Sequence, residues 1–238
     1  MYYCFILLII AIGSYLLGSI PFALIFNKLV FKQDPRETGS KNIGALNTLR
    51  IGVKKRGKII GALSFLTVFL LDASKGVLAI ILTQKFLSLN LGAFCPFCLN
   101  TPPHVLALAI ASFFSILGHN HSIYIKFQGG RGAATIFGIT LYLNLEMAML
   151  WLVSVLLFII VGELLAGHKL NKKFIPDALN NQIIGRLLGE IAGLVAFYFL
   201  NLEIFIIVAL PLLLILSAHK GRLFEQLKNI QNKTYLPG

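Results

Sequence analysis

The chain is 238 residues long, 57% hydrophobic and only 13% charged, with a formal net charge of +12. A mean hydropathy of +0.84 lies outside the range of ordinary soluble domains. The cations fall in the gaps between apolar runs, which speaks for topogenic charge and against a nucleic-acid surface. In chain order, apolar spans are predicted at 4–30, 59–84, 104–125, 133–143, 147–166, 185–201 and 203–218. Several reach the roughly 20 residues that cross a hydrocarbon core as helix. The first run, Phe5 to Leu29, lacks a preceding basic segment and an Ala-x-Ala-like cleavage site. It reads as a retained span rather than a signal peptide.

The intervening segments alternate in charge. Residues 31–58 carry Lys32, Arg36, Lys41, Arg50, Lys54, Lys55, Arg56 and Lys58, whereas 85–103 carry only Lys85. Residues 126–132 carry Lys126 and Arg131, and 144–146 carry no cation. Residues 167–184 carry Lys169, Lys172 and Lys173, the turn at 201–203 has none, and the tail holds Lys220, Arg222, Lys228 and Lys233. The expectation is an all-α polytopic integral membrane protein, one domain over 1–238 with seven transmembrane helices, its N-terminus outside and its C-terminus cytoplasmic. The fourth span is short: eleven residues from Ala133 to Leu143 rise only about 16 Å. Tilted neighbours must help it, or the glycine loop before it dips into the membrane. The tail after 218 can begin as an interfacial helix, with Leu223, Phe224 and Leu227 on one side.

Three stretches carry chemistry. In the basic segment, Ser40, Asn42 and Asn47 offer a hydroxyl and two amides, Gly39 and Gly44 admit close backbone approach, and Arg50 suits a bidentate phosphate. A capped basic turn accounts for the same residues. The second stretch, Phe127 to Thr135, places Gly129, Gly130, Arg131 and Gly132 at the start of an apolar helix, an arrangement that favours an anion over a plain tight turn. It lacks the glycine-lysine-hydroxyl ending of a Walker loop. The third is Asp72 and Lys75, three residues apart on one face of an apolar span, either functional or an internal ion pair that holds helices together. His119, His121 and His219 favour capping or ligand hydrogen bonding, since no Cys or carboxylate set completes a metal sphere. Cys95 and Cys98 have the spacing of thiol–disulfide exchange enzymes without their βαβ context.

Taken in order, these stretches resemble the bacterial acyl-phosphate:glycerol-3-phosphate acyltransferase family, PlsY. The resemblance runs through Leu17-Gly18-Ser19-Ile20-Pro21-Phe22, Asp34-Pro35-Arg36, Gly39 to Asn47, Asp72-Ala73-Ser74-Lys75-Gly76, Gly118-His119 and Lys126 to Thr135. Against the family pattern, Lys41 stands for Gly, Leu46 for Thr, Gln128 and Arg131 for the two lysines of the glycine loop, and Arg222 for Asn. The resemblance implies a multi-pass enzyme of the bacterial cytoplasmic membrane. It would transfer an acyl group from acyl-phosphate to the 1-hydroxyl of glycerol 3-phosphate, without a cofactor or metal. Ser40, Arg50, His119 and His219 are then the expected catalytic residues. Asn42, Gly44, Asn47, Gly129, Gly130, Arg131, Gly132, Asp72 and Lys75 are expected to bind or support the substrates. Expected partners are the two phosphate substrates and membrane lipid, with no nucleic acid. A transporter of a small phosphorylated solute would also want cationic loops and an intramembrane Asp–Lys pair. Against it, no inverted repeat is visible and both glycine loops fall on one predicted side. A thiol oxidoreductase built on Cys95 and Cys98 is more remote.

Overall fold

A computed structural model describes residues 2–89, 103–166 and 182–231 of the chain. The Cys95/Cys98 pair lies outside the described residues. The described residues are helical apart from connecting turns. Helix α1 (Tyr2–Gly18) stops before Pro21, whose ring removes a donor and pushes Ile20 out of helical geometry. Helix α2 (Phe22–Phe31) resumes immediately. The break turns the Ile20 carbonyl toward Lys75 and the Ser19 carbonyl toward Ser122.

The basic segment is not all loop, as its polarity implies. Residues 45–56 form α3 (Ala45–Arg56), starting at an extended Gly44. Its buried Asn47, Thr48, Ile51 and Gly52 form one face, and Asn27 Nδ2 ties α2 to it by donating to Thr48 Oγ1 at 2.7 Å. Gly57, with φ 88°, turns the chain directly into α4 (Lys58–Leu89). The next helix, α5 (Pro103–Asn120), ends five residues earlier than hydropathy predicts, and a 3₁₀ turn covers Ile123–Ile125. Then come α6 (Ala133–Leu143), α7 (Leu145–Leu165), α8 (Ile183–Leu200), α9 (Leu202–Ala218) and α10 (Lys220–Gln231). The side chains of Asn144 and Asn201 cap α7 and α9 by accepting from Met147 N–H and Ile204 N–H.

Among the described residues, four units are long and apolar enough to cross a membrane: Tyr2–Phe31, Lys58–Leu89, Leu145–Leu165 and Ile183–Leu200. The bent pair α9–α10, 49° apart, makes a fifth if it is one span, while α5 and α6 are shorter. Packing follows the membrane rule of small residues inward. A Cβ on Gly18 would strike the Ser115 carbonyl of α5, one on Gly118 the Tyr15 carbonyl of α1, and one on Gly138 the Ala73 carbonyl of α4. Gly185, Gly189 and Gly193 form a ladder on α8 against Phe158, Val155 and Trp151 of α7. Large apolar side chains such as Leu63, Leu70, Leu157 and Leu213 stay exposed, while Asp72, Lys75, His119, Glu163, Arg186, Glu190 and His219 are buried. That inversion fits a lipid surround with function inside.

Candidate active site

Lys75 is the hub of a buried network. Its Nζ lies 2.8 Å from Asp72 Oδ1, donates to the Ile20 carbonyl at 3.0 Å and meets His119 Nδ1 at 2.9 Å. Asp72, Lys75 and His119 are 2%, 1% and 7% exposed, so the network is closed to bulk water. An ammonium only donates, so His119 Nδ1 must accept and its proton sits on Nε2. That Nε2–H faces Gly130, where a Cβ would collide with it. The Gly130 N–H donates to the His119 carbonyl at 3.0 Å, so the glycine loop is fastened to the end of α5. Thr135 Oγ1 donates to the Asp72 carbonyl, joining the start of α6 to α4.

The loop before α3 is shaped by Asn47 rather than opened by it. Asn47 is fully buried; its Oδ1 accepts from Ser40 N–H at 3.0 Å, and its Nδ2 donates to the carbonyls of Pro35, Thr38 and Asn42. Both ends of the amide are thus engaged within the loop and hold its shape. Gly39 takes φ 63°, and a Cβ there would strike Asn47 Oδ1. Lys41, at the position of a family glycine, keeps a left-handed φ of 57°.

Asp34 anchors the start of this loop. Its carboxylate accepts from the Arg36 backbone N–H at 3.0 Å, from Nε at 2.9 Å and from Nη2 at 2.7 Å, with Lys28 Nζ at 3.4 Å. The Arg36 guanidinium outweighs burial and holds this carboxyl well below the usual carboxylate range. A depressed folded-state pKa contributes stability above the unfolded value of about 3.9, lost as pH falls through the folded value. Asp34→Asn is expected to lower thermal stability at pH 7, with the gap to wild type closing as the pH drops below about 4. A gap of constant size across that range would rule out the charged anchor.

The two glycine-bearing stretches meet at one cavity of about 340 Å³, lined by Ser40, Lys41, Asn42, Asn120, Gly129, Gly130, Arg131 and Ser217, among others. Gly132, with φ 83°, starts α6, and a Cβ there would press on Ile116 and Asn120. Gly44 and Gly132 lie beside the cavity in the chain and shape its loops without lining it. Asp72, Lys75 and His119 line instead a small cavity of about 10 Å³ that shares Gly129 and Gly130 with the larger one.

Arg131, on the wall of this cavity, lies within the field of three further arginines. Burial, then the charges of Arg222, Arg186 and Arg50, push Arg131 down to about 10. Burial and Arg222 lower Arg50 in the same way. Both stay protonated at neutral pH. His219, 1% exposed, lies within the field of Arg131, Arg186 and Arg222. Its Nδ1 donates to the Ile215 carbonyl at 2.8 Å, so Nε2 carries a lone pair, buried and without a hydrogen-bond partner among the described residues. The two histidines thus present opposite groups: a donor at His119 and an acceptor at His219. Sequence reasoning missed Arg186, which stands at the edge of a predicted span where a cation passes for a topogenic flank. It also missed Asn120, whose Oδ1 is buried without a partner among the described residues. Among the described residues, no three His, Cys, Asp or Glu side chains gather as a metal site.

Comparison with known proteins bears on this arrangement. The family described as glycerol-3-phosphate acyltransferase matches residues 8–229. The glycerol-3-phosphate acyltransferase of Pelagibacter ubique (strain HTCC1062) is 40% identical over 147 residues, 62% of this chain and 64% of that protein. That of Coxiella burnetii (strain CbuG_Q212) is 36% identical over 149 residues, 61% of this chain and 65% of that protein. The chain thus spans under two thirds of the length of these curated relatives. The fold is similar to a crystal structure of PlsY (YgiH), an integral membrane glycerol 3-phosphate acyltransferase, in its glycerol 3-phosphate form. That match has a TM-score of 0.63 and 22% identity, covering 98% of this chain and 95% of the other. The lysophosphatidic acid form of the same enzyme matches at the same TM-score with 23% identity, covering 94% and 92%. With its motifs in order and the family match running over nearly the whole chain, this protein belongs to the glycerol-3-phosphate acyltransferase family.

Proposed function

We propose that the chain transfers an acyl group from acyl-phosphate to the 1-hydroxyl of sn-glycerol 3-phosphate, giving lysophosphatidic acid and inorganic phosphate. The observation that carries this reading is the convergence of the Ser40 loop and the glycine loop on one cavity whose wall carries Arg131. Both substrates carry a phosphate monoester, and both loops suit anions. The similar PlsY structures, in glycerol 3-phosphate and lysophosphatidic acid forms, support the choice of substrate and product.

Acyl-phosphate is already activated, so the chemistry needs positioning and charge stabilisation above all. The 1-hydroxyl attacks the acyl carbon, its proton passes to a phosphate oxygen, and the carbon–oxygen bond to phosphate breaks as the ester forms. Ser40, Asn42 and Arg50 hold one phosphate, and the Gly129–Gly132 loop with Arg131 holds the other. His119 Nε2–H, fixed by Lys75, stabilises developing negative charge, and the lone pair of His219 Nε2 orients the attacking hydroxyl. Asp72 holds Lys75 in place. The site belongs at the cytoplasmic face of a single seven-span domain over 1–238 in the bacterial cytoplasmic membrane. The N-terminus is then outside, an orientation that the basic segments favour.

The test is purified protein with labelled glycerol 3-phosphate and synthetic acyl-phosphate. Product no greater than in a heat-killed control would sink the reading, and uptake of the phosphorylated solute into proteoliposomes without donor would replace it with transport. Arg50→Ala and Arg131→Ala are each expected to cut turnover at least about tenfold, the scale of one lost contact of about 1.4 kcal/mol in the transition state. Wild-type kinetics in a well-folded variant would remove that arginine from the mechanism.

A further inference from the structure

The corner where α3 meets α4 carries a dense set of exposed cations. Lys54, Lys55 and Arg56 form the last turn of α3, and Lys58 opens α4 just past Gly57. The two helices close tightly on each other: a Cβ on Gly52 would lie 2.7 Å from Gly61 Cα, and one on Gly61 would strike Val53. Arg56 Nη2 donates to the Val30 carbonyl at 3.2 Å, and its guanidinium lies over the Phe31 ring. That contact brings the end of α2, and with it Lys32, to the same corner. Lys32, Lys54, Lys55 and Lys58 are exposed and enter no ion pair among the described residues.

The dipole of α3 favours cations in its last turn, and topology favours them on one side of the membrane. Neither effect requires that they head an apolar face, yet they do. Beyond Lys58, the side chains of Ile59, Leu63, Leu66 and Leu70 recur at helical spacing on α4, exposed at 77%, 56%, 50% and 56%. Thr67, exposed beside them, donates its hydroxyl to the Leu63 carbonyl at 2.9 Å, as a side chain facing hydrocarbon must. The opposite face buries Gly61, Ser64 and Val68. With 32 residues, α4 rises about 48 Å, well beyond the roughly 30 Å of hydrocarbon in a bilayer. Its basic end therefore reaches the headgroup layer while the apolar stripe lies among the chains. An anionic phospholipid has the complementary form, with its phosphate at the level of Lys58 and its chains along the stripe.

We propose that this corner is a binding site for an anionic phospholipid. Lys54, Lys55 and Lys58 hold its phosphate, and Ile59, Leu63, Leu66 and Leu70 carry its acyl chains. None of these residues lines the cavity between the Ser40 and glycine loops, so the site is separate from acyl transfer and does not depend on it.

The experiment uses the full chain in phosphatidylcholine vesicles. Trp151 is its single tryptophan, so Trp151→Phe/Leu63→Trp places one fluorophore on the stripe. Brominated-chain phosphatidylglycerol and brominated-chain phosphatidylcholine are compared as quenchers. The anionic lipid is expected to reach half its maximal quenching at a mole fraction at least about tenfold lower, since each basic residue near an anionic surface contributes about fivefold in affinity. Adding Lys54→Gln/Lys55→Gln/Lys58→Gln should bring the two lipids level. Lys85→Gln/Lys220→Gln/Lys228→Gln removes the same charge elsewhere and should keep the preference. With Trp151 in place, wild type in detergent should gain more thermal stability from phosphatidylglycerol than from phosphatidylcholine, and the Lys54/Lys55/Lys58 variant should not. Equal quenching by the two lipids overturns the proposal, as does their equal stabilisation of wild type. Loss of the preference in the Lys85/Lys220/Lys228 variant also overturns it, because net charge alone would then account for the attraction.

Discussion

Asp72→Ala is expected to destabilise the protein by about 3–5 kcal/mol, the range for breaking one side of a buried ion pair. Asp72 and Lys75 are nearly inaccessible, so no solvent takes over the lost charge. Lys75 would keep the Ile20 carbonyl and His119 Nδ1 as partners but face no anion of its own network. Acyl transfer should fall with stability, because Lys75 dictates which nitrogen of His119 bears the proton. Asp72→Ala/Lys75→Met separates the two effects: it removes both charges and should regain much of the thermal stability, while His119 loses its fixed tautomer and activity stays low. Thermal unfolding in detergent and initial rates on the same samples decide it. Asp72→Ala within about 1 kcal/mol of wild type, below the range for a buried pair, would show that the pair does not hold α4 to the break between α1 and α2.

Gly130→Ala is expected to lower kcat/KM about a hundredfold or more, equivalent to about 2.7 kcal/mol of transition-state stabilisation. The added methyl would overlap His119 Nε2 and lie 2.7 Å from the Ile43 carbonyl. Neither neighbour yields easily. His119 is held by Lys75 on its other nitrogen, and Ile43 is backbone of the Ser40 loop with its side chain buried. The methyl therefore wedges apart the two loops that line the cavity. Gly13→Ala is the control, since a Cβ there meets nothing within 4 Å. Equal kinetics for Gly130→Ala and wild type would refute the close apposition of loop and histidine.

Residue order singles out several side chains that the fold brings together. Ser40, Asn42, Gly129, Gly130 and Arg131 all reach one cavity, and Asp72 pairs with Lys75. For Asn47 the sequence offers an amide among glycines, and the structure adds that its neighbours in space are the carbonyls of its own loop. Arg222 reads as a lost asparagine from the motif alone, but lies with Arg50, Arg131 and Arg186 once α10 is laid against α8.

The apolar runs follow from sequence by itself, because they depend on transfer of a continuous segment into hydrocarbon. The break at Pro21 divides the predicted 4–30 span in two, and it is seen only in the structure, as are the asparagine caps at 144 and 201. The helical second half of the basic segment, the early end of α5, the opposite tautomers of His119 and His219, and the arginine cluster were decided only by the tertiary structure. Hydropathy reports how a segment meets lipid. Which donors face which acceptors, and which like charges are forced together, depends on contacts between residues up to 172 positions apart, from Arg50 to Arg222.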